Sequence, residues 1–252
     1  MQEHKVVADW GVSSKVVAFS TTRKGGVSEG PYTSLNLGAH VGDDPLRVEK
    51  NRKLVLEQFP EYLQWQRIEQ VHGTRVLTIE QAGEEQVADA LITTRSNIVC
   101  CVQTADCLPL FVAALDGSEV AMIHAGWKGL AAGIVENVIQ AMSTPTERLA
   151  VFLGPAIGPC HFEVGAEVRA RYLNAAQSQT ASEALSLCFH ATSNAGKYLA
   201  DLYGIAKLKL SGLGVQQVGG GDACTFCEKD RYFSYRRDGT TGRLLHAIYI
   251  EG

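Results

Sequence analysis

The sequence has little of what membrane-spanning, secreted or nucleic-acid-binding proteins usually need. Charged residues make up 20% of its 252 residues, and the formal net charge is −4 with both signs mixed. This balance does not favour binding to nucleic acid or to an anionic membrane. No apolar run approaches the roughly 18 residues of a membrane span, and the N-terminus, Met1 to Val7, lacks the apolar segment of a signal peptide. We therefore expect a cytoplasmic protein, in which an anionic ligand would require a local cationic pocket.

Cysteine usage also argues against secretion. The seven cysteines are an odd number without a regular framework, which is typical of a reducing compartment. Cys224 and Cys227 form a C-x2-C pair that resembles half of a structural zinc site, but no second pair of this kind exists. The sequence therefore favours reduced cysteines near a turn. Together with Cys160 they lie in Gly-rich loops, where exposure is expected to make them sensitive to oxidation.

The chain also lacks internal repeats, low-complexity linkers and abrupt changes of composition. Hydrophobic residues account for 46% of it, which is enough for a large core. The sequence therefore predicts one domain that spans residues 1–252.

The clearest pattern begins at Glu119. Val120 to Ile123 is an apolar run of strand length that ends at His124, and a helical stripe of apolar residues follows from Leu130 to Met142. A second apolar run, Leu149 to Leu153, completes a strand–helix–strand unit with the right-handed crossover of an α/β fold. His124 is then at the carboxyl end of a strand, where open α/β sheets place their ligands.

Other segments are assigned by the same rules. Asp43-Asp44-Pro45 predicts the start of a helix, and Asp116-Gly117 predicts a hairpin turn after the strand Leu110–Leu115. Helices are expected over residues 165–176 and 197–210, a closing hairpin over 233–250, and little regular structure over 178–194.

Three chemically reactive residues share one property. His72, Cys107 and His124 each fall where an apolar strand is interrupted or ends. Two histidines and one cysteine with an open fourth position form a known catalytic zinc site. A nucleophilic pair of Cys107 with His124 or His72 as its base is an alternative, and three unrelated core residues are another.

The loop Arg23 to Ser28 contains two cations, Arg23 and Lys24, and two glycines. Such a loop can direct positive charge and backbone N–H groups at an anion. A solvated turn is the simpler interpretation and, for this loop alone, the favoured one.

Long motifs across the chain resemble the YfiH family, whose members have been called laccase-domain proteins, polyphenol oxidases, purine nucleoside phosphorylases and peptidoglycan editing factors. They extend over most of the chain and are Gln70-Val-His-Gly73, Ala88-Asp-Ala-Leu-Ile92, Thr104-Ala-Asp-Cys-Leu-Pro109, His124-Ala-Gly-Trp-Lys-Gly129, Gly154-Pro-Ala-Ile-Gly-Pro159 and Phe233-Ser-Tyr-Arg-Arg237. The resemblance implies a four-layer α/β/β/α domain and zinc bound by His72, Cys107 and His124.

The resemblance also implies purine nucleoside chemistry: phosphorolysis of adenosine, inosine and methylthioadenosine, and deamination of adenosine. An open zinc site can activate water or polarise a leaving group. The residues proposed to support this chemistry are Arg23, Lys24 and Lys128 for phosphate, Asn36 and Gln70 for sugar or base, and Asp89 or Asp106 as acid/base or as partner of a ligand histidine.

Three other functions remain open. A true multicopper oxidase needs more histidines, largely in H-x-H pairs, whereas this chain has seven His and no such pair; copper could still replace zinc, because Cu(II) binds N and S ligands more tightly. A cytoplasmic amidase that removes a wrongly added L-Ser from the UDP-MurNAc precursor would suit the same cationic pocket. A binding protein with a structural metal is disfavoured, because structural zinc normally has four protein ligands.

Overall fold

The computed structural model describes residues 5–8 and 10–252. The expectation for the N-terminus rests partly on residues 1–4, which lie outside the described residues. The β-strands are β1 Lys5–Val7, β2 Val16–Thr21, β3 Gln64–Gln66, β4 Ile68–Glu69, β5 Val76–Thr78, β6 Gln86–Val87, β7 Ala90–Thr93, β8 Ile98–Thr104, β9 Leu108–Ala114, β10 Val120–Ala125, β11 Leu149–Leu153, β12 Glu163–Gly165, β13 Phe189–Ala191, β14 Lys197–Ala200, β15 Gln217–Gly220 and β16 Leu244–Ile250.

The α-helices are α1 Pro45–Leu56, α2 Trp127–Ala132, α3 Ile134–Ala141, α4 Ala166–Asn174, α5 Gln179–Ser186, α6 Leu202–Gly212 and α7 Tyr235–Asp238. Helix α1 begins as predicted, because the Asp44 side chain accepts a hydrogen bond from the Leu46 N–H and Pro45 occupies the first turn.

Two mixed sheets form the centre of the molecule. The first has the strand order β1-β2-β16-β8-β3, and the second has the order β15-β11-β9-β10-β7-β5. Smaller sheets are formed by β12-β14-β13 and by β4-β6. The chain passes from the first large sheet to the second between β8 and β9, at residues 105–107.

Alternating strand residues supply separate cores on the two faces of each large sheet. In β8, Cys100 and Val102 pack between the two sheets, whereas Val99 and Cys101 face the core beneath α1. In β10, Met122 packs between the sheets, whereas the residues on either side of it pack against α3 and α6. Both faces of these strands are buried, which explains their continuous apolar sequence. The four layers α/β/β/α agree with the predicted fold.

The structure corrects several details. Strands β10 and β11 run in the same direction but are separated by β9, which is antiparallel to both. The helix expected after His124 is two helices, because Gly133 has a left-handed φ of 101° that ends α2. Residues 178–194 contain α5 and β13, the helix expected from Lys197 begins only at Leu202, and Phe233–Arg237 leads into α7 instead of a hairpin strand.

Within the described residues, no helix is both long and apolar enough to cross a bilayer.

Candidate active site

His72, Cys107 and His124 converge at one end of the second large sheet, and we refer to them as the trio. Their ligand atoms all lie within 4.8 Å of one another, and the Cys107 Sγ to His72 Nε2 distance is 3.6 Å. His124 is buried at the second-last position of β10. Cys107 lies in the connection from β8 to β9, and His72 is exposed in the turn after β4.

The strand register brings these residues together. Strands β9 and β10 form the hairpin predicted at Asp116-Gly117, and their pairing places His124 opposite Pro109. Continuing this register by one pair beyond Leu108 and Ala125 places Cys107 beside Gly126. The hairpin thus supplies two of the three side chains from one local arrangement.

Asp89 fixes both histidines. Its Oδ1 lies 2.8 Å from His124 Nδ1. The other ring nitrogen of His124, Nε2, therefore faces His72 and Cys107. The same carboxylate accepts hydrogen bonds from the backbone N–H groups of His72 (2.9 Å) and Gly73 (2.6 Å). Burial opposes ionisation of Asp89, but the hydrogen bonds from His124 and Gly73 outweigh it and hold its pKa below the ordinary value. Asp89 is therefore a buried anion that orients the histidines.

Two non-glycine residues at the site have a left-handed backbone conformation. His72 itself has a φ of 60°, and Asp106, which precedes Cys107, has a φ of 97°. Asp106 is held by Thr225 Oγ1, which donates to its Oδ1 at 2.6 Å, and by the Arg236 N–H, which donates to its Oδ2 at 2.7 Å. These contacts stabilise an unfavourable backbone conformation at the position that aims Cys107.

Gly126 leaves open the space that the trio faces. A Cβ at this position would lie 2.7 Å from His72 Cδ2, 3.0 Å from Cys107 Sγ and 3.4 Å from His124 Nε2. Two imidazoles and one thiol surround a space too small for a methyl group, and these three donors match the ligands of a His₂Cys metal site.

Cys107 and His124 shift each other's pKa. Burial disfavours the Cys107 thiolate, but the neighbouring His124 and His72 outweigh it and lower the pKa of Cys107 to about 6. Burial would also lower the pKa of His124, but the Cys107 thiolate and Asp89 raise it to about 9. A thiolate–imidazolium pair is therefore favoured at neutral pH, and a bound cation would replace the His124 proton.

The trio opens into a cleft of about 860 Å³. Three arginines line this cleft together with the trio, namely Arg52, Arg67 and Arg243. The remaining lining residues are Ala39, His40, Ile68, Glu69, Gln70, Glu85, Cys101, Gln103, Thr104, Ala105 and Tyr235. The cleft thus combines a possible metal site with guanidinium groups that can bind an anion.

Two of these arginines, Arg52 and Arg243, donate hydrogen bonds to backbone carbonyls. Arg52 Nε donates to the Leu37 carbonyl at 3.0 Å, and Arg243 Nη1 donates to the carbonyls of Thr241 and Gly242 at 3.1 Å each. Burial, followed by the charges of Arg243 and Arg52, lowers the pKa of His40. Three arginines against Glu69 and Glu85 leave the cleft wall with a net positive charge, and Arg67 is ion-paired with Glu85 at 2.8 Å.

The residues predicted to bind phosphate do not line the cleft of the trio. Arg23 and Lys24 line a separate cavity of about 690 Å³ with Lys229, Asp230, Arg237 and Asp238. Lys128 is exposed on α2, with its Nζ 5.8 Å from the centre of the Trp127 ring. Neither group is among the residues that line the cleft of the trio.

The two amide side chains predicted to bind the sugar or base, those of Gln70 and Asn36, form hydrogen bonds with other protein groups. Gln70 lines the cleft, but its side chain donates to the Gln103 carbonyl at 2.9 Å and accepts from the Gln103 N–H at 2.7 Å. Asn36 is fully buried, and its Oδ1 accepts from the Arg243 N–H at 2.8 Å. Asn36 therefore supports the backbone that presents Arg243 to the cleft.

The sequence interpretation missed the three arginines of the cleft. Arg52 is on α1, Arg67 follows β3 and Arg243 precedes β16, so no local motif unites them. No sequence pattern marks Arg243; in the structure it packs against Gly38, where a Cβ would lie 2.6 Å from Arg243 Cγ.

Comparison with known proteins agrees with this architecture. Residues 17–251 match the model of the family described as multi-copper polyphenol oxidoreductase laccase. The chain belongs to this family.

Curated relatives share nearly the whole length of the chain. A Shigella flexneri protein named purine nucleoside phosphorylase YfiH is 45% identical over 97% of this chain and 98% of its own length. A Haemophilus influenzae purine nucleoside phosphorylase is 42% identical over 96% of this chain and 98% of its own length. These names confirm the YfiH resemblance of the motifs.

Solved structures of relatives confirm the fold. A Neisseria meningitidis protein of the family DUF152 has a TM-score of 0.91 and 42% identity, covering 99% of this chain and 100% of its own. YlmD from Geobacillus stearothermophilus has a TM-score of 0.84 and 33% identity, covering 95% of this chain and 93% of its own.

Proposed function

We propose that this chain is a zinc-dependent purine nucleoside phosphorylase whose metal ligands are His72, Cys107 and His124. The observation that carries the proposal is that one cleft contains both the trio and the guanidinium groups of Arg52, Arg67 and Arg243. A phosphorolytic enzyme needs both a way to polarise its nucleoside and a cationic site for phosphate. The relatives named purine nucleoside phosphorylase support this choice of reaction.

Zinc suits the donor set, because imidazole nitrogen and thiolate sulfur are its preferred ligands and a vacant position is typical of catalytic sites. When bound, zinc supplies a Lewis acid that can polarise a substrate oxygen or activate water. Copper would bind the same donors more tightly. Weak oxidase activity in a copper-loaded sample would then result from metal substitution.

The arginines are proposed to hold phosphate. A guanidinium group binds two phosphate oxygens at once and keeps its charge when partly buried. In the reaction, a phosphate oxygen attacks C1′ of the ribose and the C1′–N9 bond breaks with its electrons going to the purine. The purine takes up a proton and leaves as the free base, and the sugar leaves as ribose 1-phosphate.

The same cleft is proposed to deaminate adenosine and to accept methylthioadenosine. In deamination, water adds at C6 of the purine and ammonia leaves, so that inosine is formed. This reaction needs no phosphate, and omission of phosphate therefore separates it from phosphorolysis in the same assay.

Asp89 and Asn36 are proposed as positioning residues. Asp89 accepts from both histidine-bearing segments, and Asn36 accepts from the Arg243 N–H. Gln70 was predicted to hold the sugar or base; because its amide is bonded to Gln103, we propose that it shapes the cleft wall instead. Arg23, Lys24 and Lys128 remain alternatives for phosphate, which variants can compare with Arg243.

The test is chromatography of inosine incubated with phosphate and zinc-loaded protein. Hypoxanthine and ribose 1-phosphate should form, and Cys107→Ala should abolish them because a metal ligand is lost. Arg243→Ala should raise the KM for phosphate by at least tenfold, corresponding to more than about 1.4 kcal/mol of binding free energy. Arg23→Ala and Lys128→Ala are matched controls that should change it less than twofold.

The opposite pattern, with phosphate binding lost in Arg23→Ala and retained in Arg243→Ala, would move the phosphate site to the other cavity. Zinc-loaded protein that releases no free base but removes L-Ser from UDP-MurNAc-L-Ser would replace phosphorolysis by the amidase reaction.

A further inference from the structure

A second group of metal-binding side chains lies apart from the trio. Cys160 and His161, from the loop between β11 and β12, meet Cys224 and Cys227 from the loop after β15. Their ligand atoms all lie within 4.8 Å of one another. The sequence offered only the Cys224-x2-Cys227 half of this group, and the fold supplies the other two donors.

The separations, 3.1–3.7 Å, are within a few tenths of an ångström of those between ligands around one small cation. Cys160 Sγ lies 3.7 Å from Cys224 Sγ and 3.4 Å from Cys227 Sγ. His161 Nδ1 lies 3.1 Å from Cys160 Sγ and 3.4 Å from Cys227 Sγ. In a tetrahedral zinc site with Zn–S of about 2.3 Å and Zn–N of about 2.0 Å, neighbouring donors are roughly 3.5–3.8 Å apart.

Contacts within and between the two loops position these donors. The Gly158 N–H lies 3.2 Å from Cys224 Sγ, and a Cβ on Gly158 would lie 3.2 Å from the same sulfur. The Thr225 N–H donates to the Ala156 carbonyl at 3.0 Å, which joins the loops directly. The His161 ring stacks on Phe226, with ring centres 3.9 Å apart and planes inclined by 14°, so that the orientation of Nδ1 is fixed.

We propose that Cys160, His161, Cys224 and Cys227 bind one zinc ion as a closed structural site. Four protein donors complete a tetrahedron and leave no position for substrate, in contrast to the three donors of the trio. Three thiolates exclude hard cations such as Mg²⁺ and Ca²⁺, which prefer oxygen.

The site also bears on the candidate active site. Thr225, which lies between two of the ligands, donates to the Asp106 carboxylate, and the Ile157 N–H donates to the Asp106 carbonyl at 3.0 Å. A zinc ion that joins these two loops would therefore stabilise the backbone immediately before Cys107. The proposal itself is independent of the reaction that the trio performs.

The test is the zinc content of the full-length protein, produced with zinc and purified under reducing conditions. We expect two zinc ions per chain in the parent protein and one in Cys107→Ala. Cys227→Ser and Cys224→Ser should each also retain one, and the Cys107→Ala/Cys227→Ser double variant none. Cys188→Ala, which removes a buried cysteine outside both groups, should retain two.

Cobalt substitution identifies the ligands independently of stability. Thiolate-to-cobalt charge-transfer absorption should largely persist in Cys107→Ala, because three thiolates remain at the second site. It should fall to the contribution of one thiolate in Cys227→Ser, with circular dichroism used to verify folding.

One zinc ion in the parent protein that disappears in Cys107→Ala would overturn the proposal. Two ions retained in folded Cys227→Ser would also overturn it. Should Cys227→Ser not fold, the parent protein and Cys107→Ala decide: zinc and strong cobalt–thiolate absorption that persist in Cys107→Ala support the site, and their loss in Cys107→Ala contradicts it.

Discussion

At the scale of single residues, the candidate active site depends on a few positions where the local environment overrides ordinary preferences. Asp89 is a carboxylate with no exposed surface, and its charge is compensated by His124 and by backbone N–H groups. Asp106 has a left-handed backbone that glycine would adopt more easily. Such departures are common where a site must be rigid before its ligand arrives.

Gly126→Ala tests whether the space facing the trio is needed for metal binding. Its φ of −59° and ψ of 153° are accessible to alanine, so the backbone should tolerate the change. The new Cβ would lie 2.7 Å from His72 Cδ2 and should displace a ligand. We expect zinc affinity at the trio, measured by chelator competition, to fall by at least tenfold.

Gly212→Ala is the matched control, because nothing lies within 4 Å of its added Cβ. Zinc affinity in this variant should be unchanged. Parent-like zinc affinity in Gly126→Ala would show that the trio can move aside and that metal binding does not need the space beside Gly126.

At the scale of secondary-structure elements, strand pairing is what assembles the site. The β9–β10 hairpin brings Cys107 towards His124, and the pairing of β7 with β10 places Asp89 beside His124.

Strand β16 of the first large sheet carries a further buried histidine. His246 is fully buried between Ser20 on β2 and Thr104 on β8. Each of the two hydroxyls lies 2.8 Å from a ring nitrogen of His246.

His246 should make the protein sensitive to acid. Burial, assisted by the charge of His124, lowers the pKa of His246 to about 3 from the ordinary histidine value of 6.5. Between these values the unfolded chain binds a proton that the folded chain does not, so stability falls as pH decreases from 6.5 to 3. The full effect is up to about 5 kcal/mol at 1.36 kcal/mol per pKa unit.

Urea unfolding of metal-free protein at several pH values measures this effect. His246→Gln should be less stable at pH 8, because packing and hydrogen bonds are altered, but its stability should decrease less steeply below pH 6.5. Equal pH slopes in the parent and the variant would exclude His246 as the source of the acid sensitivity.

At the scale of the whole molecule, the two large sheets share one apolar layer. Phe111 on β9 is 1% exposed and belongs to the core between the sheets. It contacts Phe152 and His246, with ring-centre distances of 6.3 Å in both cases. Because this layer joins both sheets, we propose that residues 1–252 unfold as one domain.

Phe111→Ala should therefore destabilise the entire molecule. Replacing a buried phenylalanine by alanine typically costs about 3–5 kcal/mol, through lost contacts and a residual cavity. A thermal scan should show one transition displaced as a unit to lower temperature. Leu187→Ala, at a position that is 75% exposed, should change the free energy of unfolding by less than about 0.5 kcal/mol. Two separate transitions, only one of them displaced, would contradict the one-domain proposal.

The sequence by itself determined the elements with strong local signals. The Asp-Pro start of α1, the Asp116-Gly117 turn and the apolar strands around His124 depend on capping, turn geometry and hydrophobic periodicity, which act over a few residues. The position of the turn also brings Cys107 close to His124. Cys107 and Gly126 are equally distant from the centre of the turn and therefore face each other in the hairpin, and His124 is two residues from Gly126. Weaker patterns gave wrong predictions at two places. Lys197 begins a strand and not a helix, and Gly133 divides the helix predicted after His124 into two.

Only the tertiary structure decided which distant residues share a cleft. Arg52, Arg67 and Arg243 come from three unrelated segments, and their proximity follows from the packing of α1 and of the sheet edges. Likewise, Cys160 and His161 join Cys224 and Cys227 because two loops are hydrogen-bonded to each other across a long stretch of chain. Local sequence limits the conformation of each segment, whereas burial of the shared apolar layer selects the one arrangement in which these groups meet.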